Sequence, residues 1–355
     1  MMDKKKLITD ISNLLKSGVE KKDFPGASYA VIYKDGTIYS DYVGYKQVVP
    51  TIEINKGNEI YDCASLTKVI STTTMIMKLI EGKKLSLDTK VQEIIPRFIH
   101  SNITIYHLLT HTSGLPADIK RASTLVDKDD VLNRIFNFEL INEVGKKIVY
   151  SDIGFIILGL IIEKLTNKRL DVYASEVVFN PLKMDDTSYR PNKANCAPTE
   201  FRDDEIYKGL LKGLVHDEKS FALNGLSGHA GMFSTSNDLA KFILSFLRND
   251  EIILKKETID SLFIEREKDI NKNGILLVRA LGWQKKTKGS TSGDNTSYEN
   301  TILHTGFTGC NIWIDKLAGI GFVLLSNAVH PKRENNGIGK YRNMIGNMII
   351  PSEVN

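Results

Sequence analysis

Apolar Leu7, Ile11, Leu14 and Leu15 recur with the spacing of one helical face, and Phe24-Pro25-Gly26 ends the run, so a first helix is expected over residues 7–21. The period then changes. Residues 28–33 and 37–43 alternate in polarity on either side of Asp35-Gly36, a dipeptide that tolerates positive φ and predicts an antiparallel hairpin. From Leu66 the positions Leu66, Val69, Ile70, Thr73, Ile76, Met77 and Ile80 mark a helical face that closes near Gly82, with Ser65 at its N-terminal edge. Helical periods dominate from there to residue 265, at 91–95, 104–109, 131–138, 152–165, 170–179 and 238–247. Strand-like runs return at 275–283, 301–306, 311–314 and 320–326, and a last helix follows.

Strands at both ends of the chain with helices between predict an α+β fold. One antiparallel sheet is assembled from residues 1–80 and 266–355, flanked by helices, and a mostly helical region, 81–265, is inserted between them. The whole forms one compact unit, with the expected site in the cleft between the two parts.

Composition narrows the class. The chain has 355 residues, 42% hydrophobic and 25% charged, which is globular and long enough for a large core. Its 47 Lys and Arg against 43 Asp and Glu leave only +4, with lysines in scattered pairs such as Lys83-Lys84 and Lys285-Lys286, so no nucleic-acid footprint is expected. The best apolar run, residues 153–162, stops at Glu163 and falls short of the roughly 20 residues that span a bilayer. The basic start at Lys4-Lys5-Lys6 runs into Thr9 and Asp10 rather than an apolar stretch; with no secretory signal visible, the expected location is cytoplasmic. Cys63, Cys196 and Cys310 are odd in number and unpaired in spacing, which argues against disulfides and a zinc site. No phosphate loop, dinucleotide glycine fingerprint, His-Glu-x-x-His or Gly-x-Ser-x-Gly elbow occurs, so no cofactor and no metal are expected.

Three segments carry candidate chemistry. In Ser65-Leu66-Thr67-Lys68 the three-residue offset puts a hydroxyl and an amine on one helical face, about 5–6 Å apart at Cβ, an arrangement able to activate serine as a nucleophile. The plain alternative is a capping serine beside a surface lysine. Tyr150 precedes Ser151-Asp152 at the entrance of an apolar helix; near an ammonium its phenol becomes a plausible base toward Ser65 and acid toward a leaving group, against core packing as the alternative. His304-Thr305-Gly306 closes a strand, where glycine lets a substrate lie close to the edge, and the backbone N–H of Phe307 paired with that of Ser65 would form an oxyanion hole.

In this order and on these elements, the three segments resemble the Ser-x-x-Lys, Tyr-x-Asn-like and Lys-Thr-Gly-like elements of class C β-lactamases and penicillin-binding-protein-like serine hydrolases. The likeness continues through Ile103-Thr104-Ile105-Tyr106-His107-Leu108-Leu109-Thr110-His111-Thr112-Ser113-Gly114-Leu115-Pro116, through residues 150–160, Pro181-Leu182-Lys183-Met184 and 228–239, and covers roughly residues 24–330. It implies a β-lactamase/transpeptidase-like fold and acyl transfer to water, with Ser65 as nucleophile, Lys68 as the amine that helps deprotonate it and Tyr150 as shared acid and base. Asp152, where the family usually has asparagine, would orient Lys68 and substrate while adding negative charge. Asp118 would approach the same wall.

His304 stands where the family usually carries lysine, which removes a permanent anchor for a substrate carboxylate. The resemblance therefore implies feeble turnover of penicillins and cephalosporins, and an ester or a small D-amino-acid-type amide as substrate. Activity is expected to follow His304 ionisation between about pH 5 and 9. His216 and His229 are read as loop residues with a structural role or a substrate contact, and His107 and His111 as scaffold. Rival readings are a penicillin-binding sensor that acylates once or never, and a cell-wall D-Ala peptidase or residual β-lactamase. The partner is a small molecule, with no nucleic acid and no membrane span; oligomeric state is left unknown.

Overall fold

A computed structural model describes residues 4–352. Nine antiparallel strands form its sheet: β1 (Gly26–Tyr33), β2 (Ile38–Gln47), β3 (Glu53–Ile54), β4 (Glu267–Ile270), β5 (Leu276–Arg279), β6 (Gln284–Lys285), β7 (Thr301–Thr305), β8 (Asn311–Asp315) and β9 (Ile320–Ser326), in the spatial order β3-β2-β1-β9-β8-β7-β6-β5-β4. N-terminal β1 pairs directly with C-terminal β9, Ala27 opposite Ser326 and Tyr33 opposite Ile320, so both ends of the chain build one sheet. The Asp35-Gly36 hairpin forms where its turn residues predict, with Gly36 at φ 100° and the Tyr33 N–H donating to the Thr37 carbonyl.

Strand alternation sorts side chains into two cores. Ala30, Ile32, Ile302, Ile312, Ile314, Val323 and Leu325 face the larger one, while Tyr29, Val31, Leu303, Trp313, Phe322 and Leu324 face the smaller. The smaller core is covered by α1 (Lys4–Glu20), through Leu7, Ile11 and Leu15, and by the C-terminal helix Gly339–Ile349, through Tyr341, Ile345 and Ile349. Because helices cover both faces, β1 is buried along nearly its whole length, whereas β2 and the edge strands β3 and β4 keep exposed positions.

The larger core joins the sheet to the helical region. Helix Ser236–Arg248 lies against β1 and β9, with Ile243 packed where Gly321 has no side chain. Helix Asp152–Thr166 is apolar around most of its circumference and correspondingly buried from Ile153 to Leu158 and at Ile161 and Ile162. Short ribbons unforeseen in the pattern pair Tyr61–Asp62 with Phe233–Ser234, and Phe201–Asp203 with Lys208–Leu210. Among the described residues no helix is long and apolar enough to cross a membrane.

Candidate active site

The Ser65 turn is set by its neighbours. Ala64 adopts φ 44° and its N–H donates to Asp62 Oδ1 at 2.9 Å, while the N–H groups of Leu66, Thr67 and Lys68 bond back three residues to Cys63, Ala64 and Ser65. The chain then passes through a π-helical turn, Lys68–Thr73, before the α-helix Thr74–Glu81; such widened turns recur at functional sites. Ser65 is half-buried at the mouth of this turn and Lys68 is buried one turn below it.

Lys68 Nζ donates to Ser65 Oγ at 2.9 Å and to the His229 carbonyl at 3.2 Å, and its third contact is Asp152 Oδ1 at 2.7 Å. Burial pushes the Lys68 ammonium toward neutrality, but Asp152 and then Tyr150 outweigh burial, and the group is held above its ordinary range. Lys68 is expected to be the amine that helps deprotonate Ser65; held charged beside Asp152 it donates only, and in that state it would orient Ser65 Oγ and favour its alkoxide. Tyr150 lies beside it, ring centroid 4.9 Å from Lys68 Nζ. Ser151 caps the following helix, and its hydroxyl donates to the Pro116 carbonyl at 2.6 Å, which fixes Tyr150 and Asp152 on either side of it.

Asp152 also touches Lys219, at 3.2 Å, and Lys219 in turn holds Asp118 at 2.8 Å and Asp217 at 3.0 Å. His229 donates from Nε2 to Asp217 at 2.7 Å and shares a hydrogen bond with Ser227 through Nδ1 at 2.8 Å. Burial opposes charge on Lys219, yet Asp217, Asp152 and Asp118 raise it; burial likewise disfavours the Asp217 carboxylate, yet His229 and Lys219 hold it well below the usual range. Asp152, Asp217 and His229 offer atoms within 4.8 Å of one another, but the Lys219 ammonium already bridges both carboxylates, so the cluster is a closed ion-pair network rather than a set of metal ligands.

The strand wall is different. His304 is buried; burial first, then Lys68 and Arg279, push its imidazole down to about 3, which points away from the expected His304-linked titration between pH 5 and 9. Its Nδ1 bonds the Thr305 carbonyl at 2.9 Å, which assigns the proton to Nδ1 and leaves Nε2 a lone-pair acceptor without a partner among the described residues. Gly306 passes so close to the Ser65 turn that a Cβ there would sit 2.7 Å from the Cys63 carbonyl oxygen, and Thr308 Oγ1 ties the same turn to the Asp62 carbonyl at 2.7 Å. Neither the Ser65 nor the Phe307 N–H donates to an acceptor among the described residues, which leaves both free for an oxyanion. His216 stacks on Phe307 at 5.7 Å and is bound by Glu200 at 3.0 Å, and its backbone N–H reaches Asp62 at 2.7 Å, so it buttresses this turn.

Thus Ser65, Lys68, Tyr150 and Asp152 are brought together, with Asp118 joined through Lys219 and His304 5.9 Å from Tyr150 between ring centroids. His107 caps its own helix through Thr104, and His111 packs against Tyr150 with ring centroids 4.7 Å apart and planes tilted by 40°, accepting from the Ser151 N–H at 3.1 Å. The sequence reading missed Lys219 and Arg279. Arg279, at the end of β5, puts its guanidinium carbon 5.4 Å from the Tyr150 ring centroid.

A serine hydroxyl, a lysine ammonium, a phenol and two N–H groups without acceptors among the described residues, all in one cleft, are the groups that serine acyl-transfer chemistry uses. A family model described as Beta-lactamase matches residues 11–342, and the chain belongs to that family. It is 31% identical over 352 residues to the N-acetylmuramyl-L-alanine amidase of Bacillus subtilis (strain 168), covering 86% of this chain and 78% of that one. It is 32% identical over 309 residues to a putative D-alanyl-D-alanine carboxypeptidase of Escherichia coli (strain K12), covering 76% and 69%. The fold matches that of a hydrolase with promiscuous acyltransferase activity at a TM-score of 0.78 and 19% identity, covering 97% of this chain and 98% of that one. The chain is a serine hydrolase with the β-lactamase/transpeptidase-like fold.

Proposed function

We propose that the protein hydrolyses a small amide or ester through an acyl-enzyme on Ser65, with amides of the muramyl-peptide or D-alanyl kind leading, since its two relatives at 31% and 32% identity are named for those bonds. The observation that carries this reading is the contact chain Ser65 Oγ to Lys68 Nζ to Asp152, at 2.9 and 2.7 Å. With Lys68 cationic, the Ser65 hydroxyl accepts from it and gives its proton to Tyr150 acting as phenolate, which becomes the neutral phenol as Oγ attacks the carbonyl carbon. The carbonyl oxygen takes up charge beside the N–H groups of Ser65 and Phe307. As the bond to the leaving group breaks, Tyr150 returns the proton to it; water then repeats the sequence and frees the acid.

Asp118, Asp152 and Asp217 outnumber Lys68 and Lys219 on one wall, so a substrate carboxylate placed there meets repulsion, which supports weak β-lactam turnover. The test is intact mass and product release with p-nitrophenyl acetate, N-acetylmuramyl-L-alanine, a D-alanyl dipeptide and nitrocefin. Ser65→Ala is expected to lose at least about 10³-fold in kcat on every substrate turned over. Mass gain without product would instead identify a once-acylated sensor, and full activity in Ser65→Ala would end the proposal.

A further inference from the structure

Most of the buried cations near this cleft have their charge answered. Lys68 has Asp152, and Lys219 has three carboxylates. Lys285 and Lys286, farther along the sheet, donate to backbone carbonyls of Phe263 and Glu299 and of Asp294 and Thr296. Arg279 does not have its charge answered: it is 8% exposed, its Nε has no hydrogen-bond partner, and no described carboxylate lies within ion-pair distance. A buried guanidinium without a counter-ion is unfavourable, and such groups concentrate where function requires them. What Arg279 faces is the ring of Tyr150.

We propose that Arg279 is a positioning residue for the acid/base step, the fixed cation that acts through Tyr150 and takes the electrostatic place left by His304. This rests on the Ser65 acyl-enzyme reading and adds a residue to it. The charged and titratable groups around Tyr150 come from every packed element: Lys68 from the π-helical turn, His111 from the loop after the helix Ile105–Leu109, His304 from β7, Arg279 from β5, and Asp152 with Lys219 behind it from the helix side. His111 and His304 are kept neutral, first by burial and then by the neighbouring cations, and the Lys68 charge is balanced by Asp152. Arg279 therefore remains the unbalanced positive charge, and a cation beside a phenol favours its anionic, proton-accepting form. Tyr150 has the converse effect on the guanidinium: burial weakens its charge and Tyr150 supports it.

The experiment is kcat/KM for an uncharged p-nitrophenyl ester across the pH range in wild type, Arg279→Gln and Arg279→Lys. Loss of the cation in Arg279→Gln should move the acid limb upward by about one pH unit and lower kcat/KM at neutral pH about tenfold. Arg279→Lys should keep the limb near its wild-type position, an outcome that a packing or fork-shaped hydrogen-bonding role would not give. An unmoved limb in Arg279→Gln overturns the proposal; should that variant fail to fold, a limb in Arg279→Lys displaced as if the charge were gone overturns it equally. Difference absorbance of the phenolate, with Tyr150→Phe subtracted, reads the same shift without turnover. Labelling with a fluorophosphonate keeps the two readings apart: no label on Ser65 of the wild type defeats the acyl-enzyme reading, whereas a labelled Ser65 with an unmoved limb defeats only the role of Arg279.

Discussion

At one end of the catalytic constellation Lys219 is enclosed by Asp118, Asp152 and Asp217, with His229 and Ser227 completing the network. At the other end, past Lys68 and Tyr150, Arg279 is buried without a counter-ion and His304 keeps an unshared nitrogen. The first end is satisfied within the protein and holds Asp152 against Lys68. The second is under-satisfied, and unsatisfied buried polar atoms are costly unless a reaction uses them. Rigidity and reactivity are thus divided between two groups of residues that meet at Lys68 and Tyr150.

The largest break in this comparison should come from Lys219→Met. With the ammonium gone, Asp152 and Asp217 remain buried beside each other without their cation, and stability measured by urea unfolding should fall by about 3 kcal/mol. Adding Asp217→Asn should restore part of it, and an unchanged midpoint in the single variant would show the network to be dispensable. Next comes Gly306→Ala, whose Cβ would meet the Cys63 carbonyl oxygen at 2.7 Å and push the Phe307 N–H away from the Ser65 turn. Losing one oxyanion donor predicts about a 10²-fold fall in kcat with little change in KM, checked on a chromogenic ester.

The smallest effect concerns pH. His111 and His304 both titrate below the ordinary 6.5 because burial disfavours their charged forms, His304 down to about 3. Below pH 6.5 the unfolded chain takes up protons that the folded one refuses, so their contribution to stability, complete above 6.5, declines as pH falls toward 3. The slope should be about 1.4 kcal/mol per pH unit for each histidine. Urea unfolding at a series of pH values should show this decline, and His304→Gln should reduce its slope; a flat curve would contradict it.

Periodicity made the architecture legible: the hairpin at Asp35-Gly36, the helix from Asp152 and the strands beyond residue 300 all follow from local alternation and turn chemistry. The Ser65 and Lys68 pair was legible for the same reason, being three residues apart on one turn. Lys219 was not, because its carboxylates at Asp118 and Asp152 lie far away in the chain and a lone lysine in the five-residue helix Glu218–Ala222 carries no pattern. Arg279 sits at a strand end where a charged residue normally meets solvent, and only the folded sheet turns it toward Tyr150. The charge state of Lys68 was equally invisible, since it depends on the balance between burial and Asp152.

Gly306 presses against the Cys63 carbonyl across more than two hundred residues of intervening chain. During synthesis, then, the serine and its lysine leave the ribosome early, while the second oxyanion donor arrives only after β7 has emerged and docked. If the Phe307 N–H is the second oxyanion donor, a partly made molecule would be catalytically silent, and the appearance of hydrolase activity during refolding would time the last long-range closure of the sheet.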